Sequence, residues 1–396
     1  MNILMAHNYY QTRNPSGENI SFEAEVALLR RYGHNVVTYT RHNDEILEYG
    51  FWRKLGLAKQ TVWAGDTYSE LGSILTSQRI DLAHFQNTFP LISPSAYRAC
   101  REARVPIVQT LRNYRLMCLN GLLYRKGGTC ELCVGRTVAW PGVFYACYRG
   151  SRPASGVVAG MLALHQLIGT WSESIDIYVA LTEFAKEKFV QGGLPAAKVV
   201  VKPNFVDPDP GQGAGSGGYA LFVGRLSQEK GVDVLLAAWK GLAGRIPLRV
   251  VGDGPLWDTV SKAAVGLEGV NLMGRQEPSR IVELMREATV LICPSRVYEG
   301  FPRVIVEAFA VGLPVIAANF GSMASLIESR RTGLLYPPGN GSALAEQVEW
   351  IFAHPRELAE MRKWARSEYE EKYTAERNYQ ILMNLYDSVR SDWLNA

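Results

Sequence analysis

The chain has 396 residues, 47% of them hydrophobic and 20% charged, a length that points to two domains with separate cores in a water-soluble protein. Its formal net charge of +4, from 42 basic and 38 acidic side chains, is too small and too evenly spread to argue for nucleic acid as a partner. Six cysteines are too few for a secreted disulfide scaffold, no apolar run reaches the roughly 18 to 20 residues of a spanning helix, and the opening residues read as a strand without a leader, so a cytoplasmic location is expected.

In chain order, residues 2–5 form a short apolar strand that leads into the polar loop Asn14-Pro15-Ser16-Gly17-Glu18 and a helix with Phe22, Val26 and Leu29 on one face. Strand, glycine-bearing loop and helix make the first unit of a Rossmann-like α/β sheet. Gly17 would let the backbone approach a ligand, although an ordinary turn has the same use for glycine. More strands are expected at 35–39, 81–85 and 106–110, with a helix over 94–103. The mixture Phe51-Trp52-Arg53-Lys54-Leu55-Gly56-Leu57, followed by Trp63, suits either a membrane surface or an amphipathic segment packed on its own domain.

After Thr110 comes Leu111-Arg112-Asn113-Tyr114-Arg115. Arg112 stays protonated, which excludes it as a general base but lets it hold a phosphate or other electron-rich oxygens. Cys118, Cys130, Cys133 and Cys147 follow within thirty residues, a set that fits a structural zinc, buried free thiols or a redox-sensitive pair. On the zinc reading, 117–148 is an insertion ordered by these cysteines. From 140 to 171 the chain is rich in aromatic, glycine and basic residues ahead of a mostly apolar helix, again compatible with a membrane-associated acceptor or with simple packing. Strands at 175–180 and 198–202, with a helix from Glu183, close a first domain at 1–207.

Glycine, proline and serine dominate 208–218, which reads as a flexible linker between the domains. The second domain, 219–373, opens with a strand at 219–223 and then Gly224-Arg225-Leu226-Ser227 and Lys230-Gly231. A guanidinium that grips two oxygens and an ammonium point charge, five positions apart on a strand-to-helix turn, suit a diphosphate. Gly252 and Gly254 end the next strand and allow close approach by a nucleoside, and Arg275 lies on the turn where the base would rest. The Gly-x-Gly-x-x-Gly of a nicotinamide-binding turn is missing after both the first strand and Val223.

The stretch 291–318 reads as strand, loop, helix and strand, with Pro302 at a first-turn position and the helix starting near Arg303. Such a start offers the N–H groups of Arg303, Val304 and Ile305 and the helix dipole to an anion. Glu299 and Glu307 flank this turn, and their carboxylates accept hydrogen bonds from hydroxyls. A diphosphate between two polyhydroxylated groups, as in a nucleotide sugar, would satisfy the turn and both acids together.

The run Glu299-Gly300-Phe301-Pro302-x4-Glu307-Ala308, then Gly312-x-Pro314-Val315, resembles the carboxyl-terminal signature of the retaining glycosyltransferases of family 4, which have the GT-B fold. Gly224-Arg225-x4-Lys230-Gly231 matches the same family's phosphate turn, and Pro203-Asn204-Phe205-Val206-Asp207 its end-of-domain motif. The resemblance implies two Rossmann-like domains facing each other across a cleft, with a terminal helix, 374–396, crossing back to the first. It implies hexose transfer from a nucleotide-diphosphate sugar to a saccharide or lipid-linked saccharide with retained configuration, and no cofactor for catalysis. Arg225 and Lys230 would then hold the diphosphate, Glu299 the donor sugar and Glu307 the ribose, with Gly17 near the diphosphate. Arg112 stands where relatives carry histidine, and a catalytically silent nucleotide-sugar-binding protein is the alternative that this departure raises.

Overall fold

The computed structural model describes residues 1–12 and 17–394 of the chain. The loop residues Asn14, Pro15 and Ser16 and the side chains of 51–55 singled out above lie outside the described residues. The strands are β1 (Asn2–Tyr9), β2 (Asn35–His42), β3 (Leu82–Phe85), β4 (Ile107–Thr110), β5 (Tyr124–Arg125), β6 (Gly128–Thr129), β7 (Ile177–Ala180), β8 (Val199–Val201), β9 (Ala220–Val223), β10 (Leu248–Val251), β11 (Val270–Gly274), β12 (Val290–Cys293), β13 (Val315–Ala318) and β14 (Gly333–Tyr336).

Two compact units carry them. One comprises Met1–Leu123, Glu131–Pro203 and the chain from Tyr379 on; the other comprises Tyr124–Cys130 and Asn204–Asn378. Each is built on a six-stranded parallel sheet, in the order β2-β1-β3-β4-β7-β8 in the first and β11-β10-β9-β12-β13-β14 in the second. β12 and β13 are buried along their whole length, which is why they read as continuous apolar runs: a parallel sheet covered by helices on both faces has no wet side.

β1 runs four residues beyond its apolar start, to Tyr9. His7 and Asn8 are fully buried there because partners satisfy them: Asn8 Oδ1 accepts from Leu91 N at 2.9 Å, and Asn8 Nδ2 donates to Asn43 Oδ1 at 2.9 Å. The helix Gly17–Arg31 packs Phe22, Val26 and Leu29 against β1 and β3 residues, and Tyr386 and Val389 of the last helix, Ala375–Leu394, join the same core.

The glycine-rich segment 208–218 belongs wholly to the second unit and is packed on it rather than flexible. Gly213 N donates to Val311 O at 3.0 Å, Gly215 N to Arg286 O at 2.9 Å and Gly217 N to Glu287 O at 2.8 Å. A Cβ on Gly213 would lie 2.2 Å from the Arg286 carbonyl, so glycine is there for a close backbone approach. Residues 117–148 likewise do not form one body, because the β5–β6 hairpin groups with the second unit.

Candidate functional site

In the second sheet the strand order reverses between β9 and β12. At such a switch point the loops leaving neighbouring strands run to opposite faces and leave a crevice at the carboxyl edge. After β9 come Gly224, Arg225 and the single tight turn Gln228–Lys230; after β12 come Ser295, Glu299 and the helix Arg303–Ala310. Gly231 fastens the two loops, since at its φ of +69° a Cβ would sit 1.9 Å from the Pro294 carbonyl oxygen. Arg296 N donates to Glu229 O at 2.7 Å across the same seam.

Lys230 Nζ donates to Glu299 Oε1 at 2.6 Å, and Ser295 Oγ donates to the same oxygen at 2.7 Å. Burial alone would lower the Lys230 pKa; the Glu299 carboxylate outweighs it and holds the ammonium above the ordinary lysine value. Lys230 is therefore a fixed positive charge near neutral pH. Beside the pair, burial pushes the Cys293 thiol up to about 12, which leaves it an inert packing residue.

Arg303 Nε donates to Glu307 Oε1 at 3.3 Å, one helical turn on. The open N–H groups expected at the helix start are mostly used, which corrects the reading from sequence. Arg303 N donates to Phe301 O and Ile305 N to Pro302 O, both at 2.9 Å, so among the described residues only the Val304 N–H of the three lacks a backbone acceptor. The first turn closes tightly, with one bond spanning two residues and one spanning three, and leaves fewer backbone N–H groups open to an anion. Arg225 and Arg275 are exposed and make no ion pair among the described residues. Gly252 and Gly254, at φ of +138° and +159°, bring the loop after β10 onto the loop after β9: a Cβ would meet Gly224 O at 1.9 Å and Leu226 O at 2.6 Å.

The first sheet reverses its order between β1 and β3. Gly17 opens the helix after β1, and a pocket at the carboxyl ends of β3 and β4 is lined by Gln86, Asn87, Phe89, Arg112, Asn113 and Arg115. Arg112 is buried. Its Nε and Nη2 donate to Gln86 Oε1 at 3.0 and 2.6 Å, and Nη2 lies 3.5 Å from Glu25 Oε2, which Lys202 Nζ also approaches at 3.5 Å. His84 Nδ1 is 3.4 Å from Glu25 Oε1 and hydrogen-bonds Tyr386 Oη at 2.6 Å, while its Nε2 meets Thr110 Oγ1 at 2.7 Å.

Burial lowers His84 to about 4 despite the neighbouring acid, so the ring is neutral. For Glu25 burial would raise the pKa, but the Lys202 ammonium and the Arg112 guanidinium hold it below the ordinary carboxylate range. Glu18, at the start of the same helix, is pushed up by burial even though Asn113 Nδ2 at 3.2 Å and Tyr10 Oη at 3.3 Å donate to it. Glu25, His84, Lys202, Gln86 and Ser295 are absent from the sequence-based candidates. A signal existed for Glu25, three residues after Phe22 and next to Val26, where a charge falls on the buried helix face.

The cysteines do not assemble a metal site among the described residues. None of the six is in a disulfide, and among the described residues no group of three or more His, Cys, Asp or Glu side chains is placed to hold a metal. Cys130 falls in the second unit while Cys118, Cys133 and Cys147 fall in the first, so the four share no common centre within one unit. Cys118 Sγ donates to Asn120 Oδ1 at 3.0 Å. Among the described residues no helix is long and apolar enough to cross a membrane.

Two doubly wound parallel sheets, with cations and acids gathered at the switch point of the second, define an α/β protein of Rossmann-like units. Two family models divide the chain: Glycosyltransferase Family 4 matches residues 22–210, and Glycosyl transferases group 1 matches residues 212–368. Together they mark the chain as a family 4-like glycosyltransferase with the GT-B fold. Relatives include D-rhamnosyltransferase WbpZ of Pseudomonas aeruginosa, 32% identical over 40% of this chain and 42% of its own, and phosphatidyl-myo-inositol mannosyltransferase of Mycobacterium leprae, 30% identical over 45% and 50%. The matched region thus spans half or less of the length of these relatives. Over 98% of this chain and 100% of its own, HepE of Anabaena, solved with UDP, superposes with a TM-score of 0.69 at 20% identity. Sucrose-phosphate synthase of Thermosynechococcus elongatus gives 0.69 over 99% of both chains at 18% identity. At such identities these structures speak for the fold.

Proposed function

We propose that the protein is a glycosyltransferase that moves a hexose from a nucleotide-diphosphate sugar to a saccharide or lipid-linked saccharide with retention of configuration. One observation carries the reading: at the second switch point two cations are already matched with acids, Lys230 with Glu299 and Arg303 with Glu307. A bare phosphate would satisfy the cations and strand the acids. A nucleotide sugar satisfies both, because the ammonium and guanidinium turn to the diphosphate while the released carboxylate oxygens accept hydroxyls from the sugar and the ribose.

Charge develops on the leaving diphosphate in a loose, oxocarbenium-like transition state, and fixed cations aimed at it lower the barrier without a base. Lys230, kept protonated by Glu299, and exposed Arg225 have that role; Arg275 and the Gly252–Gly254 loop border the place for the base. The relatives named above are a rhamnosyltransferase and a mannosyltransferase, and HepE holds UDP, which supports a nucleotide-sugar donor here. Thermal melting with a panel of nucleotide sugars, nucleoside diphosphates, pyrophosphate and NAD tests the assignment. A nucleotide sugar should raise the melting temperature more than pyrophosphate does; stabilisation by NAD alone, or by none of the panel, overturns it. Release of nucleoside diphosphate with an acceptor present separates an enzyme from a silent binder.

A further inference from the structure

Exposed apolar side chains are concentrated in one stretch of the first unit. Leu132, Val138, Trp140, Phe144, Tyr145, Leu164, Leu167 and Ile168 are eight of the 15 large hydrophobic residues on the described surface, in less than a tenth of the chain. They lie on and around the helices Trp140–Phe144 and Arg152–Leu167. The longer helix buries Ser155, Val158, Ala159, Met161, Leu162 and Ala163, and turns Pro153, Gly160, Leu164 and Leu167 to solvent at the spacing of one continuous helical face. After Arg152 that face carries no charge. Leu167 is 75% exposed, an orientation that gains nothing in water.

The charge within this segment has one sign. Between Glu131 and Glu173 the sequence contains Arg136, Arg149 and Arg152 and no acidic residue. Each arginine lies over an aromatic ring, Arg136 over Trp140 at 5.6 Å, Arg149 over Tyr148 at 5.3 Å and Arg152 over Phe144 at 5.8 Å. The helix Phe51–Val62 packs alongside, its Val62 carbonyl accepting from His165 Nε2 at 3.0 Å, and its sequence holds Arg53, Lys54 and Lys59 with no acid. Rings and leucines next to guanidinium groups, without carboxylates, match the boundary between anionic headgroups and acyl chains.

We propose that this face, from Trp140 to Ile168, docks the protein on an anionic membrane surface, with the leucines and aromatic rings entering the headgroup boundary and the arginines meeting phosphates. The inference rests on the glycosyltransferase reading only for its consequence, that the acceptor is drawn from the membrane as a lipid-linked saccharide.

The test is co-sedimentation of the full chain with vesicles of phosphatidylcholine alone and with vesicles containing 40% phosphatidylglycerol, at low and at high salt. Binding to the anionic vesicles should exceed binding to the neutral ones at least tenfold and fall with salt. The double substitution L164E/L167E and, separately, R136E/R149E/R152E should each lower it at least tenfold, whereas Val265→Glu, at a still more exposed apolar site in the second unit, should leave it unchanged. All these positions face solvent, and equal melting temperatures confirm folding. Absence of binding to either vesicle, L164E/L167E that binds like the parent, or a dimer in vesicle-free sedimentation that L164E/L167E dissolves, each overturns the proposal. Nucleotide-sugar stabilisation measured on the same variants reports separately on the donor site.

Discussion

Replacing Lys230 with alanine isolates the central electrostatic claim. The ammonium bonds Glu299 Oε1 at 2.6 Å, and the two side chains are 31% and 14% exposed, so the pair is screened on one side and enclosed on the other. Losing it leaves Glu299 with its Ser295 bond at 2.7 Å, a change expected to cost about 1 kcal/mol of stability. The cost to chemistry is larger, because a preorganised cation aimed at a leaving diphosphate is commonly worth about 3 to 4 kcal/mol in the transition state. Turnover should therefore fall by at least about a hundredfold, measured as nucleoside diphosphate release with the donor picked out by the melting panel. Glu299→Ala should cost a similar factor. A double-mutant cycle with K230A and E299Q sharpens the result: the double variant should regain the stability lost in K230A but not its turnover. Near-wild-type turnover in folded K230A would refute the reasoning, as would full rescue by E299Q.

Gly231→Ala places a Cβ 1.9 Å from the Pro294 carbonyl at a φ of +69°, so the urea midpoint should drop by an amount equivalent to about 2 to 4 kcal/mol; an unchanged midpoint would mean the two loops are not fastened there. Glu25→Gln removes the buried charge shared by Arg112 and Lys202 and should cost about 3 to 5 kcal/mol in the same assay, with little loss if the cluster is loosely hydrated instead. His7 and His84 are both lowered from 6.5 to about 4 by burial, so the unfolded chain binds more protons between those values and stability should rise as pH increases from about 4 to 6.5. The gain is on the order of 3 kcal/mol per histidine, and a midpoint flat over that window would show both rings hydrated in the folded protein.

The parts of the fold that were legible in the sequence are those where local pattern and tertiary role coincide. The helix at Arg303 and the strands on either side follow from apolar runs broken by prolines, and their bounds agree with the chain's own punctuation. Where polar residues are buried, the pattern misleads. The second half of β1 carries His7 and Asn8, and only buried partners distant in sequence, such as Asn43 and Asn87, make a strand of it. The glycines of 208–218 have the composition of a linker, yet close contact with the backbone at 286–287 and 311 is a three-dimensional reason for glycine that composition does not distinguish from flexibility. At the site, Lys230 and Glu299 are 69 residues apart, so their pairing appears only once β9 and β12 are neighbours; each alone looks like an ordinary loop charge.

The same sheet architecture holds its charges differently at the two switch points. In the first, the side chains of Arg112, Lys202 and Glu25 are each about 2% exposed and consume one another, so a ligand would have to break a buried cluster to recruit them. In the second, Lys230 and Arg303 are paired with acids that remain partly open to solvent, and an arriving diphosphate exchanges one partner for another at little desolvation cost. The exchange also has a direction. Each acid displaced by a phosphate would need new donors, and the hydroxyls on either side of the diphosphate in a nucleotide sugar would supply them. On the proposed reading, selectivity for sugar and ribose over inorganic anions would follow from the ion pairs themselves, and truncating the ligand at either end should weaken it by more than the contacts removed.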